Sequence, residues 1–129
     1  MPVELKMLAW SVALGVVYMV LPMTMSLIHR GIAWNASNRD VEPRPFTGVA
    51  ARIDRANRNF LETFALFAAA VIAVVVAQRA NATTALGVQL YFWARVVYLP
   101  VYAIGIPYLR TLVWAASVVG IVMVLGALF

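Results

Sequence analysis

Polar and apolar positions follow one another in long blocks along this chain, and the blocks predict helices that cross a membrane. An apolar run extends from Leu5 to Ile28, which exceeds the roughly 20 residues that a helix needs to span a bilayer core. The long polar connection that follows, residues 29–47, contains two prolines and several Asn and Asp residues, which predicts an irregular loop. Because the apolar run is longer than that of a signal peptide, we expect a retained first helix and not a cleaved signal.

Three further apolar blocks complete the pattern. The second helix is predicted to begin near Gly48, ahead of the membrane, and to end near Gln78, while Pro107 separates the last two blocks. We expect one all-α domain over residues 1–129, a bundle of four transmembrane helices. The predicted spans are about 5–28, 59–78, 84–104 and 109–129.

Composition agrees with a membrane location. The 129 residues are 64% hydrophobic and 12% charged, whereas a soluble domain is about half apolar and a quarter charged. Cysteine is absent and His29 is the one histidine, so we expect no disulfide, no metal site and no cysteine nucleophile. The net charge of +5 is not gathered in a separate tail, and we expect no nucleic-acid partner.

The basic residues are distributed unequally between the two sides of the predicted bundle. The side of the first and third connections carries most of them, and Lys6 and Arg79 lie on the other side. By the positive-inside rule, the Arg-rich first loop is expected in the cytoplasm and both termini outside, in the periplasm if the membrane is a bacterial inner membrane. The residues on the crowded side are Arg30, Arg39, Arg44, Arg52, Arg55, Arg58 and Arg110.

One face of the second predicted helix is polar near its start and consists of alanines further on. Residues three and four apart share a helix face, so the polar residues that open this helix align with a stripe of alanines further on. Small residues let membrane helices approach closely, and the face therefore indicates an inner helix with a polar site at its entrance. The face consists of Arg52, Arg55, Asn59 and Glu62, followed by Ala65, Ala69, Ala73 and Ala77.

Arg95 lies near the middle of the third predicted span, where an arginine costs roughly 2.5–3.5 kcal/mol on insertion scales. Tyr91, Tyr98 and Tyr102 share its face by spacing. Two interpretations of Arg95 stay open: it forms a structural ion pair with Glu62, or Arg95 and Glu62 together bind a zwitterionic molecule. Two interpretations of the tyrosines also stay open, because they are either site residues or part of an interfacial aromatic belt.

Arg110 opens the fourth predicted span, where the helix dipole disfavours a cation and attracts an anion. It is either a cationic flank of the span or an anion-binding residue. Taken together, the residues predict an Arg/Asn/Glu/Tyr site near the cytoplasmic face that suits a small anionic or zwitterionic molecule.

Three segments carry a resemblance to a known family. These are Arg55-Ala-Asn-Arg-Asn59-Phe-Leu-Glu62, then Arg95-Val-Val-Tyr98-Leu-Pro-Val-Tyr102, and then Gly105 with Arg110. They resemble the MAPEG family, the membrane-associated proteins in eicosanoid and glutathione metabolism. The stretch from Trp34 to Asp40 is similar to that of bacterial members.

The resemblance implies a homotrimer that holds glutathione, as co-substrate, between neighbouring subunits near the cytoplasmic face. It implies that Arg110 activates the thiol for attack on an apolar electrophile entering from the lipid bilayer, in a membrane transferase or peroxidase. The alternatives are a non-catalytic ligand-binding or structural member of the family, and a small structural subunit of a larger complex. The binding residues implied are Arg55, Asn59, Glu62, Arg95, Tyr98 and Tyr102.

Overall fold

The computed structural model describes residues 1–129, and every regular element in it is a helix. Three of the helices are long and apolar enough to cross a membrane: α1 (Val3–Arg30), α3 (Gly48–Val76) and α5 (Pro107–Gly126). The fourth long helix, α4 (Ala82–Ile104), has 23 residues, a length of about 34 Å, and carries Gln89 and Arg95 within it. The prediction of an all-α membrane bundle is confirmed. The helices are α1 Val3–Arg30, α2 Ile32–Ala36, α3 Gly48–Val76, α4 Ala82–Ile104 and α5 Pro107–Gly126.

Local sequence explains where the long helices begin and end. The Asn81 side chain accepts a hydrogen bond from the Thr84 amide, and the Thr84 hydroxyl accepts one from the Asn81 amide, so a capping box starts α4. Gly105 ends α4 in the left-handed conformation, with φ of 88°. Pro107 then occupies the first turn of α5, where its missing N–H has no intrahelical partner to lose.

The first polar connection is more ordered than the sequence predicted. It contains the short helix α2, because the Asn35 amide donates hydrogen bonds to the carbonyls of Ser26 and Gly31. The Trp34 indole N–H donates to the Val41 carbonyl over 2.7 Å. The expectation of an irregular loop throughout residues 29–47 was therefore wrong for Ile32–Ala36. We call the end of the bundle that carries this connection and the α4–α5 turn the loop end.

Helices α4 and α5 pack together most extensively, and two glycines permit their closest approach. A Cβ built on Gly120 would lie 2.7 Å from the Gly87 carbonyl oxygen and 2.9 Å from the Tyr91 amide nitrogen. Neither backbone atom can move aside cheaply, so no larger residue fits at this crossing. The far half of the bundle is then filled by a core cluster that includes Phe67, Val71, Val74, Tyr91 and Val124.

A carboxylate joins α1 to α4 at the end opposite the loop end. Glu4 is only 3% exposed, and its Oε1 accepts a hydrogen bond from the Thr84 hydroxyl over 2.7 Å. Both residues lie in the first turns of their helices, where the helix dipoles favour a negative charge. Glu4 therefore fixes how the two N-termini meet.

Candidate functional site

Two adjoining pockets open at the loop end, and Arg110 borders both. The first has a volume of about 220 Å³ and the second of about 320 Å³. Helices α3, α4 and α5 contribute to them, whereas α1 contributes no lining residue. The first pocket is lined by Asn59, Tyr98, Arg110, Thr111 and Trp114; the second is lined by Arg52, Arg55, Tyr102, Gly105, Pro107 and Arg110.

Arg52 sets the position of the α4–α5 turn relative to α3. Its Nε donates a hydrogen bond to the Ala103 carbonyl over 2.9 Å, in the last turn of α4, where carbonyls lack intrahelical partners. A Cβ on Gly105 would approach this guanidinium to 3.4 Å, so the turn lies directly against Arg52. Because Arg110 follows within the first turn of α5, the same contact fixes where Arg110 stands.

Tyr102 is the centre of the polar contacts at the pockets. The Arg55 Nε donates to its hydroxyl over 3.1 Å, and the Arg110 guanidinium carbon lies 4.8 Å from its ring centroid. Tyr98 meets the same ring edge-on at a centroid distance of 5.5 Å. One phenol side chain thus contacts both pocket arginines, Arg55 through its hydroxyl and Arg110 through its ring.

The pockets are strongly positive. Arg52, Arg55 and Arg110 line them, and no Asp or Glu is among the lining residues. The first turn of α5, which contains Pro107, faces the second pocket, and a helix N-terminus favours anions. Guanidinium groups bind carboxylates with two parallel hydrogen bonds, so the arrangement suits a small molecule that carries carboxylates.

Arg95 lies behind the pockets and lines neither. Its side chain is 0% exposed, and its three guanidinium nitrogens have no hydrogen-bond partner. Aromatic rings surround it instead, with centroids 4.3 Å away for Tyr98, 5.5 Å for Phe60 and 5.8 Å for Tyr18. The arginine is therefore held by cation–π contacts inside the bundle.

Glu62 is exposed on the outer face of α3 and contacts neither Arg95 nor a pocket. The ion pair in this chain joins Arg58 to Asp54 at 2.7 Å. The interpretation that paired Arg95 with Glu62 inside one chain was wrong, because Arg95 points into the aromatic interior and Glu62 points away from it. The alanine stripe that continues the face of Glu62 is exposed as well.

The structure thus divides the predicted site residues into three groups. It brings five of them to the pockets, places Arg95 behind Tyr98 and leaves Glu62 outside. The five are Arg55, Asn59, Tyr98, Tyr102 and Arg110. The pockets also contain Arg52, which the sequence placed on the polar face of the second helix without a binding role, and Gly105 and Pro107 of the α4–α5 turn. Thr111 and Trp114 were not predicted, although they lie directly after Arg110 and one helical turn beyond it, so spacing could have indicated them.

A family model described as the MAPEG family matches residues 7–129. The chain belongs to the MAPEG family, and with its apolar helices it is an integral membrane protein. No curated protein and no solved structure matched the chain. At the level of the family, membership supports a glutathione-related transferase, peroxidase or related function in a membrane.

Proposed function

We propose that this protein binds glutathione in the two pockets at the loop end and activates its thiol for attack on an apolar electrophile that enters from the bilayer. The observation that carries the proposal is the position of Arg110, which borders both pockets at the start of α5. A tripeptide that extends through both pockets would pass this guanidinium. The protein would then act as a membrane transferase or peroxidase.

The charges of the pockets fit the carboxylates of the tripeptide. Arg52 and Arg55 lie in the second pocket and would hold carboxylates there through bidentate hydrogen bonds. Asn59 borders the first pocket, and its side-chain oxygen is buried without a hydrogen-bond partner. That oxygen would accept a hydrogen bond from a peptide N–H of the ligand.

Arg110 would supply the chemistry. The thiolate is the nucleophilic form of a thiol, and a free thiol with a pKa of about 8.5 is mostly protonated at neutral pH. Because the chain has no cysteine, the sulfur must come from the ligand. A guanidinium at a helix N-terminus favours the anion and so lowers the thiol pKa, and each unit of lowering is about 1.4 kcal/mol in favour of the thiolate.

The assembly we propose is a homotrimer with α3 innermost and the loop end in the cytoplasm. Glu62 and the alanine stripe are exposed on one face of α3, which supports burial of that face against other copies. Glutathione also carries an ammonium group, for which the pockets of one chain offer no carboxylate. At a subunit boundary, Glu62 would supply that carboxylate.

The test is a glutathione titration of the purified protein that follows thiolate absorbance and melting temperature. Arg110→Ala should bind glutathione within a few-fold of the native protein but lose the thiolate signal and turnover, while Arg110→Lys should keep a cation without the planar fork. Arg79→Ala, which removes an exposed arginine at the opposite end, is the matched control. Normal thiolate formation in Arg110→Ala would assign activation elsewhere.

A non-catalytic ligand-binding role is the second candidate. It is favoured by the charge of the second pocket, because Arg52 and Arg55 would hold an anionic ligand there whether or not Arg110 activates a thiol. Both candidates predict that glutathione raises the melting temperature. Turnover with a generic aryl halide or organic hydroperoxide separates them, since only the enzyme consumes the electrophile.

A further inference from the structure

Helix α1 lines neither pocket, yet Tyr18 connects it to the helix that carries the two site tyrosines. Tyr18 is 0% exposed, and its hydroxyl donates a hydrogen bond to the backbone carbonyl of Arg95 over 2.6 Å. Its ring stacks on Phe60 of α3 at a centroid distance of 4.5 Å. Gly15 permits this approach, because a Cβ there would lie 2.9 Å from the Phe60 ring. Three helices therefore meet at Tyr18.

The carbonyl that Tyr18 binds lies next to the one that Pro100 leaves unpaired in α4. Pro100 is inside α4, and a proline within a helix has no N–H to pair with the carbonyl four residues earlier, here that of Val96. The helical turn that begins at Arg95 therefore has fewer backbone hydrogen bonds than its neighbours. A buried hydroxyl from another helix supplies an additional hydrogen bond at this turn.

A continuous series of contacts leads from Tyr18 to the pockets. The Arg95 guanidinium carbon lies 4.3 Å from the Tyr98 ring centroid, and the Tyr98 ring meets Tyr102 at 5.5 Å. The Tyr102 hydroxyl in turn accepts the hydrogen bond from Arg55. A shift of the α4 backbone at Arg95 would therefore move both tyrosines against the arginines of the pockets.

We infer that Tyr18 is a positioning residue for the ligand site. Its hydroxyl holds the proline-weakened turn of α4, and through Arg95 it fixes the placement of Tyr98 and Tyr102 without touching the ligand. The inference deepens the proposed function and rests on it for the identity of the ligand, glutathione. It also changes the role of Arg95 from a ligand contact to a support for Tyr98.

The competing explanation is that Tyr18 only fills the core, and the chain offers a matched control for it. Tyr91 is also 0% exposed, and its hydroxyl shares a hydrogen bond with Thr63 over 3.1 Å. Its ring stacks on Phe67 of α3 at 3.9 Å, and it lines neither pocket at the loop end. Tyr18→Phe and Tyr91→Phe therefore each remove one buried hydroxyl and keep one stacked ring.

The experiment measures glutathione affinity and amide hydrogen exchange of residues 95–104 in both variants. Losing the hydrogen bond in Tyr18→Phe should weaken glutathione binding by roughly three- to tenfold and speed exchange in this segment. Tyr91→Phe should leave both the glutathione affinity and the exchange of residues 95–104 within about twofold of the native values. Its melting temperature should fall by about as much as that of Tyr18→Phe. Equal effects of the two variants on affinity, or unchanged exchange in Tyr18→Phe, would overturn the inference.

A second variant tests the reason for the contact. Pro100 is exposed, so Pro100→Ala returns an N–H to α4 without disturbing the core. Added to Tyr18→Phe, it should restore slow exchange and most of the lost affinity, whereas a core-filling role for Tyr18 predicts no rescue. If the native protein does not bind glutathione, the proposed function fails, and the exchange measurements and their rescue alone decide the role of Tyr18.

Discussion

Replacing Gly120 with alanine should separate α4 from α5 and lower the stability of the bundle. The new Cβ would stand 2.7 Å from the Gly87 carbonyl oxygen and 2.9 Å from the Tyr91 amide nitrogen, and both are backbone atoms within a helix. Overpacking of this kind costs about 1–3 kcal/mol, against a gain in helix propensity of up to about 1 kcal/mol for Gly→Ala. With both terms near the middle of their ranges, we expect a net loss of about 1–2 kcal/mol.

Thermal unfolding in a mild detergent measures the effect. For a chain of 129 residues, a loss of that size corresponds to a decrease in melting temperature of about 4–7 °C on the entropy scale of globular proteins. Gly126→Ala is the control, since it is the same change in the same helix and no atom lies within 4 Å of the new Cβ. If Gly120→Ala melts at or above the Gly126→Ala variant, α4 and α5 do not meet at these glycines.

Three further predictions concern assembly, the far end of the bundle and orientation. Ala69→Leu, on the exposed stripe, should disturb the proposed homotrimer more than Val75→Leu, and a native protein that sediments as a monomer would contradict that assembly. Glu4→Gln should cost about 1 kcal/mol of stability, because it replaces a buried carboxylate acceptor of the Thr84 hydroxyl with a neutral amide oxygen; equal melting of this variant and the exposed Glu42→Gln would refute that role. A reporter fused to Phe129 should behave as periplasmic in a Gram-negative host, and cytoplasmic activity would reverse the proposed topology.

The sequence predicted the helices well where the signals are local. Gly48 and Pro107 mark the starts of α3 and α5 because backbone conformation at these residues depends on few neighbours. The short helix α2 was missed, since it depends on hydrogen bonds from Asn35 to carbonyls outside itself. Such bonds require the end of α1 to be in place, and the spacing of apolar residues along the chain does not report that contact.

Spacing in the sequence predicted which side chains of one helix lie together, but not how the helices face one another. Spacing of four residues on one helix brings Arg55 near Asn59 and Tyr98 near Tyr102, and the pockets contain both pairs. The relation between Arg95 and Glu62 depends on how far α4 is rotated about its axis relative to α3. Close contacts of the helices fix that rotation, and no single-helix pattern reports them.

The aromatic surroundings of Arg95 explain how its charge is held without an ion pair to Glu62. An arginine in mid-span costs roughly 2.5–3.5 kcal/mol, and one of the two interpretations of the sequence balanced that cost with the Glu62 carboxylate. Three aromatic rings lie within 5.8 Å of the guanidinium carbon, and a desolvated cation–π contact contributes up to about 2 kcal/mol. The rings therefore offset a cost of that size without a counter-ion. It follows that a mid-span arginine beside tyrosines on its own helix face is insufficient evidence for an ion pair, and that Glu62 is free to act at another surface.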